Sequence, residues 1–152
     1  MRLDLTDIHT TRIETVATAS LSVATSGEGF VDITREVARL LERIGARDGA
    51  LLLFIRHTSA SLLIQENAAA EVRADLADFL AGLAPEDASR WQHDDEGADD
   101  MPAHARAALL PVHLSIPIAD GRMLLGTWQG IYLVEHRRQA HRREIVLHLT
   151  GE

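Results

Sequence analysis

Two stretches of the chain carry apolar residues at the spacing of an amphipathic helix. Asp32 can cap the first, which is predicted to end at Gly45 and has apolar residues at positions 33, 37, 40, 41 and 44. The second covers residues 72–83 and is followed by Pro85, which cannot continue a helix. A third, shorter helix is predicted to start within Asp100-Met-Pro102, because proline is tolerated in the first helical turn.

Strand patterns occupy most of the remaining chain. Residues 11–24 are rich in Thr, Val, Ile and Ala, and the continuous apolar run 50–55 is typical of a strand buried on both faces. Apolar and polar residues alternate over 112–118, and Asp120-Gly121 is a strong hairpin signal. Further strands are predicted at 60–65, 122–128, 130–135 and 143–149. Helices followed by a β-rich last third predict an α+β fold in one domain spanning residues 1–152.

Composition narrows the class of protein. Of the 152 residues, 46% are hydrophobic and 25% are charged, which is the usual globular balance. The net charge of −8 argues against a general nucleic-acid binder and against attraction to anionic membranes. The chain has no cysteine, which excludes disulfides and thiolate zinc sites. Because it also lacks a secretory leader pattern and any apolar run of about 20 residues, we expect a cytoplasmic protein.

The segment 93–104 concentrates acidic residues between two histidines. Five carboxylates lie within the seven residues 94–100, flanked by His93 and His104. Packing like charges together costs energy unless cations neutralise them or solvent screens them. Imidazole suits zinc, whereas carboxylates suit magnesium, manganese or calcium. Two interpretations therefore stay open, a divalent-metal site and a solvated acidic loop.

Three other segments offer polar groups beside predicted strands. His57-Thr-Ser59 follows the apolar run 50–55, whose rigid strand would fix these side chains in place, although a strand-end histidine bonded to a carbonyl is the simpler alternative. The glycines of Gly126-Thr-Trp-Gln-Gly130 allow close backbone approach to a ligand, and the segment also offers hydrogen-bonding groups and a flat aromatic surface. The alternative is a turn with a core tryptophan. Segment 136–143 carries four arginines, which either bind phosphate or lie in a solvated turn.

Six short strings together resemble the YjbQ-like family, also called the secondary thiamine-phosphate synthase enzymes. Each string alone is a weak signal, but their order is specific and they cover nearly the whole chain. The strings are Phe30-Val-Asp-Ile-Thr34, His57-Thr-Ser-Ala-Ser-Leu62, Glu66-Asn-Ala68, His93-Asp94, Asp100-Met-Pro-Ala-His104 and Leu125-Gly-Thr-Trp-Gln-Gly-Ile131.

The resemblance implies a compact α+β fold of antiparallel sheet with flanking helices, assembled as a homotrimer with sites near subunit boundaries. It implies that three histidines are catalytic and bind a metal, namely His57, His93 and His104. Neighbouring positions are implied to bind substrate, namely Thr58, Ser59, Glu66, Asn67, Thr127 and Gln129. One departure is that Val134 stands where relatives often carry a cysteine, so any role of that thiol is absent here.

The activity implied by the resemblance joins a hydroxymethylpyrimidine diphosphate to a thiazole phosphate and releases pyrophosphate. A divalent ion, zinc or magnesium, held by Asp94, Asp99 or Asp100 would stabilise the departing pyrophosphate, and Asp99 is the carboxylate predicted to be catalytic. Arg142 would assist in binding this small phosphorylated substrate. Two alternatives stay open beside this transferase. One is a metal-dependent hydrolase in which the three histidines hold zinc, and the other is a non-catalytic protein that binds a metal or a metabolite.

Overall fold

Across residues 8–152, the computed structural model shows two antiparallel sheets and three α-helices, which confirms the α+β prediction. In chain order the elements are β1 (Thr15–Ala24), β2 (Gly29–Asp32), α1 (Thr34–Ile44), β3 (Gly49–Ile55), β4 (Ala60–Glu66), α2 (Ala70–Leu83), a 3-10 turn (Ala88–Arg90), α3 (Asp100–Leu109), β5 (His113–Ala119), β6 (Arg122–Met123), β7 (Gln129–Glu135) and β8 (Arg142–Gly151). The larger sheet has the order β1-β8-β3-β5-β6, and the smaller sheet has the order β2-β7-β4. Residues 1–7, which the domain prediction included, lie outside the described residues.

The hydrophobic core is built from residues of both sheets and of helix α1. Buried aliphatic residues from α1, β3, β4, β5, β7 and β8 form a cluster, among them Val37, Leu53, Leu62, Leu133 and Leu147. Each strand contributes alternate residues, as expected where one face of a sheet is covered. Within residues 8–152, no helix is both long and apolar enough to cross a membrane.

Helix α1 follows the predicted pattern closely. Gly45 ends it in the left-handed conformation with φ 71°, which glycine adopts without a steric penalty. At the other end Ile33, not Asp32, occupies the capping position. The Asp32 carboxylate instead accepts hydrogen bonds from the backbone N–H and the hydroxyl of Thr34, at 2.9 and 2.6 Å. Asp32 thus still satisfies a donor of the first helical turn.

Strand β3 does not match the prediction of burial on both faces. Its inward residues Leu51, Leu53 and Ile55 are fully buried, but Leu52 and Phe54 are 37% and 44% exposed on the outer face of the larger sheet. The continuous apolar run therefore has one buried face and one solvent-exposed face.

The strand predicted at 122–128 is also too long. Strand pairing in this region stops at Met123. A turn follows in which Gly126 and Gln129 form hydrogen bonds with each other. The amide N–H of Gly126 donates to the Gln129 side chain at 2.7 Å, and the N–H of Gln129 donates to the carbonyl of Gly126 at 2.9 Å. These local hydrogen bonds take the place of the strand pairing that the apolar residues predicted.

Candidate metal centre

Two of the three predicted histidines meet at the first turn of α3. Asp100 begins this helix and His104 follows four residues later, so their side chains lie on one face. Nε2 of His93 and Nε2 of His104 lie 3.1 and 3.3 Å from Oδ2 of Asp100. Among residues 8–152, these three side chains form the group whose ligand atoms all lie within 4.8 Å of one another. The structure therefore pairs the two histidines with a carboxylate.

Hydrogen bonding fixes which nitrogen of His104 faces Asp100. Nδ1 of His104 lies 2.9 Å from the backbone carbonyl oxygen of Thr58, and a carbonyl can only accept, so Nδ1 carries the proton. In the neutral ring, Nε2 then directs a lone pair at Oδ2 of Asp100. That oxygen is buried and has no hydrogen-bond partner among the described residues. Two lone pairs that face each other, one of them on a buried oxygen, are suited to a shared cation.

The two separations from Asp100 fit the ligand spacing around a tetrahedral ion. Zinc lies about 2.0–2.1 Å from imidazole nitrogen and about 2.0–2.2 Å from carboxylate oxygen, which puts neighbouring ligand atoms roughly 3.3–3.4 Å apart. The separations of 3.1 and 3.3 Å from Asp100 to the two histidines come within about 0.3 Å of this value. The two imidazole nitrogens lie within 4.8 Å of each other, so side-chain adjustments of at most about 1.4 Å would close the group around an ion.

Arg137 holds the two buried carboxylates of the acidic segment. Its Nη1 donates to Oδ1 of Asp100, and its Nε donates to Oδ2 of Asp99 at 3.0 Å. Burial raises the pKa of Asp99, but the hydrogen bonds from the Arg138 backbone and from the Arg137 side chain outweigh it and leave that pKa below its usual value. Asp99 is therefore an ionised partner of Arg137, and it lies outside the group of possible metal ligands.

The five carboxylates of segment 94–100 divide into two sets. Asp94, Asp95 and Glu96 are exposed to solvent, whereas Asp99 and Asp100 are buried. The interpretation as a solvated acidic loop holds for the first three residues. The cluster with the histidines uses only the last, Asp100.

His57 lies outside the His93–Asp100–His104 group. Its Nε2 accepts the backbone N–H of Glu144 at 2.8 Å, and its Nδ1 lies 3.4 Å from Nη1 of Arg143. Burial, followed by the Arg143 charge, lowers the pKa of His57 below its usual value. Its ring lines an open cleft of about 500 Å³ together with Thr58, Ser59 and Arg143. The metal role predicted for His57 has no support from the placement of its nitrogens within one subunit.

Arg143, which the sequence reasoning missed, forms the floor of this cleft. Its side chain is 4% exposed and donates from Nε and Nη2 to both carboxylate oxygens of Glu135. Burial raises the pKa of Glu135, but hydrogen bonds, above all from Arg143, bring it below its usual value. Arg142, the predicted substrate ligand, lies on the outer face of β8 and donates to Ser22 at 3.2 Å. The signal that could have found Arg143 is strand parity, since Ile145 and every second residue after it face inward.

The other predicted substrate ligands lie at the opposite end of the smaller sheet. Glu66, Gln129 and the 65% exposed Trp128 line a second open cleft of about 430 Å³. Asn67 donates to the backbone carbonyl of Gln129 at 3.3 Å, and Thr127 is exposed in the adjoining turn. Strand β4 separates this cleft from the His57 cleft, and its six residue steps span about 20 Å.

Comparison with known proteins decides the family. A sequence model of the family described as UPF0047 protein YjbQ-like matches residues 19–152. The chain belongs to this family. The assignment confirms the resemblance drawn from the six strings.

Relatives within the YjbQ-like family are similar over most of their length. The chain is 48% identical to the UPF0047 protein sll1880 of Synechocystis sp. over 132 residues, which are 87% of this chain and 90% of that protein. It is 41% identical to the UPF0047 protein YjbQ of Salmonella typhimurium, covering 88% of this chain and 96% of that protein.

Solved structures share the YjbQ-like fold. A conserved hypothetical protein from Thermus thermophilus is 37% identical with a TM-score of 0.77, covering 86% of this chain and 98% of that one. A YbjQ-like protein of unknown function from Sulfolobus solfataricus is 26% identical with a TM-score of 0.80, covering 91% and 100%. The names of these two proteins state no activity.

Proposed function

We propose that the chain is a divalent-metal enzyme that acts on a small phosphorylated molecule, with the metal held by His93, Asp100 and His104. The observation that carries this proposal is the buried Oδ2 of Asp100, which has no hydrogen-bond partner among residues 8–152 and faces two imidazole nitrogens at 3.1 and 3.3 Å. A protein interior tolerates such an oxygen poorly unless a cation or a donor neutralises it.

The charges around the group support binding of a cation, which would then attract an anion. Asp99, Asp100 and Glu135 contribute three buried negative charges, and Arg137 and Arg143 contribute two positive charges. The net charge of these five side chains is −1, which a divalent ion would change to +1. A local excess of positive charge, partly shielded from water, is what a phosphate group requires.

The reaction that the sequence resemblance implies is thiamine-phosphate synthesis. In it a divalent ion would neutralise charge on the departing pyrophosphate, and the protein would orient the hydroxymethylpyrimidine diphosphate and the thiazole phosphate. A second candidate, hydrolysis of a phosphate ester, is favoured by the donor set. Two imidazole nitrogens and one carboxylate oxygen are typical of catalytic zinc sites that keep a fourth position for water.

We also propose that a homotrimer brings the two clefts together. The predicted substrate ligands lie in two groups about 20 Å apart along β4, so one small molecule can touch both groups only if they come from different subunits. The outer face of the larger sheet offers a surface for such assembly, because Leu52, Phe54 and Val16 are exposed there. Pairing places Phe54 beside Val146, which extends the apolar area across β8.

Metal analysis of purified variants tests the metal site. We expect about one zinc or similar ion per chain in the wild type, and loss of that ion in Asp100→Asn and His104→Gln. The matched control is Asp94→Asn, which removes a carboxylate of the same segment that is exposed and should keep the ion. Full metal content in Asp100→Asn and His104→Gln, or none in the wild type after purification and reloading, would contradict the proposal.

Activity assays separate the two candidate reactions. The same proteins are incubated with the two thiamine precursors and magnesium, and separately with a panel of phosphate monoesters after loading with zinc. Pyrophosphate release that needs magnesium supports the synthase, and zinc-dependent release of phosphate supports the hydrolase. Whichever of the two activities is found should fall by at least about a hundredfold in His104→Gln. Metal binding with neither activity would identify a non-catalytic binding protein.

A further inference from the structure

The tautomer of His57 follows from its two closest contacts. The backbone N–H of Glu144 points at Nε2 from 2.8 Å, so that nitrogen must supply the lone pair. A neutral imidazole then carries its proton on Nδ1. The pKa of His57 lies below its usual value, because of burial and then the Arg143 charge, which keeps the ring neutral near pH 7.

Two donors consequently face each other at the base of the cleft. Nδ1–H of His57 lies 3.4 Å from Nη1 of Arg143, and neither nitrogen can accept from the other. Among residues 8–152, this Nη1 has no other hydrogen-bond partner, although Nε and Nη2 of the same guanidinium are satisfied by Glu135 and Ser59. An oxygen atom about 2.9 Å from both nitrogens would accept from each of them.

Ser59 supplies a third donor at the same place. Its Oγ accepts from Nη2 of Arg143 at 3.1 Å, which leaves the hydroxyl proton free to be donated. The side chain of Arg143 is 4% exposed and Glu135 holds it in place, so the donor set is preorganised. The cleft of about 500 Å³ above it is lined by two arginines, Arg56 and Arg143, and, as far as residues 8–152 are concerned, by no carboxylate.

We propose that His57 Nδ1–H, Arg143 Nη1–H and Ser59 Oγ–H form an oxyanion site that binds one phosphate group of the substrate. This assigns His57 a role as a hydrogen-bond donor to substrate in place of metal binding. The ligand class rests on the proposed function, and the site adjoins the metal group because the carbonyl of Thr58, the residue after His57, binds His104. A phosphorylated molecule in this cleft would thus lie beside the ion.

The site is tested first on the wild type by NMR of histidine side-chain nitrogens. Inorganic phosphate is titrated in the presence of a chelator, with sodium chloride at matched ionic strength as the control for screening. We expect the Nδ1–H tautomer for His57 and a saturable shift of its Nδ1 signal with phosphate alone. A protonated Nε2, or a phosphate titration indistinguishable from the chloride titration, would overturn the proposal.

Variants then separate donor loss from loss of structure. His57→Ala and Ser59→Ala each remove one hydrogen bond to a charged acceptor, which should weaken phosphate binding roughly tenfold to a hundredfold. In His57→Asn the side-chain amide lies near the former Nδ1 and should restore part of that loss. His113→Ala, a change at an exposed histidine of β5, should leave phosphate affinity unchanged. Equal affinities in His57→Ala and His113→Ala would refute the site.

Metal content distinguishes this proposal from the metal proposal. His57→Ala should keep its ion while it loses phosphate affinity, and His104→Gln should lose its ion while it still binds phosphate in chelator. Loss of the ion in His57→Ala would show that His57 is a metal ligand after all and would overturn the oxyanion site. Absence of metal from every protein, with phosphate binding intact, would refute the metal site alone.

Discussion

Replacement of Arg137 by methionine should destabilise the protein strongly. The Arg137 side chain is 11% exposed and donates to Asp99, to Asp100 and to the backbone carbonyl of Glu96. Methionine fills a similar volume but leaves two buried carboxylates without their cation. Removing one partner of a buried ion pair typically costs about 3–5 kcal/mol, because the remaining charge stays desolvated. We expect the free energy of unfolding at pH 7 to fall by roughly that amount.

The matched control is Arg138→Met, the same change one residue later. Arg138 is 58% exposed and pairs with Glu86 at the surface, so its loss should cost less than about 1 kcal/mol. Urea unfolding of both variants and the wild type is measured at one protein concentration with a chelator, since bound metal would neutralise the carboxylates. Equal stability of Arg137→Met and Arg138→Met would refute the interpretation that Arg137 neutralises the buried carboxylates of Asp99 and Asp100.

Acidification provides an internal check on the same variant. The folded-state pKa of Asp99 is depressed, so the stabilisation by Arg137 is complete above the usual carboxyl pKa and is lost as the pH falls through the folded value. The wild type has this contribution to lose and Arg137→Met does not. The difference in unfolding free energy between them should therefore shrink below about pH 4. A difference that grows on acidification would contradict the assigned charges.

Three further outcomes are expected. Burial, followed by the Arg106 charge, lowers the pKa of His136 from 6.5 to about 4, so stability should fall by up to roughly 3 kcal/mol as the pH drops through that window, and His136→Gln should flatten this slope in urea titrations. Phe54→Glu should dissociate the proposed trimer in sedimentation experiments, whereas Phe79→Glu on α2 should not. In Gly49→Ala the new Cβ would clash with the backbone carbonyl oxygen of Thr150 in β8, so thermal unfolding should show a loss of several kcal/mol of stability or no folded protein.

Local sequence patterns predicted the positions of the helices and strands better than they predicted which residues are buried. The spacing of Ile33, Val37 and Leu41 located α1 because one face of that helix packs directly on the sheets. For β3 the same logic failed, since the alternate residues Leu52 and Phe54 face away from the core. Whether an apolar face is covered depends on what lies opposite it in the folded structure, and local periodicity does not encode that.

Helix α2 shows the same limit. Its apolar residues fall at helical spacing as predicted, yet Phe79 and Leu83 are 60% and 50% exposed, and only Leu80 is buried. Amphipathic spacing therefore identified the helix correctly. It could not show how much of the apolar face is buried.

The candidate site was predicted in part. His93 and His104 stood out because both histidines flank an acidic run, but Asp100 was one of five similar carboxylates. The usable signal was the four-residue spacing between Asp100 and His104 at the start of a helix, which places a carboxylate beside an imidazole.

The roles of the arginines required the three-dimensional structure. Arg137 and Arg143 come from a segment whose four arginines look alike in sequence, but both turn inward to buried carboxylates. The partners Asp99 and Glu135 lie 38 and 8 residues away along the chain, a pairing that no local pattern encodes.

Anomalous X-ray diffraction tests the central claim most directly. Crystals of the protein loaded with zinc are measured just above and just below the zinc absorption edge. The account predicts an anomalous peak about 2.0–2.2 Å from Nε2 of His93, Nε2 of His104 and Oδ2 of Asp100. A map with no peak among these three atoms, or with its peak only at the exposed carboxylates of residues 94–96, would contradict it.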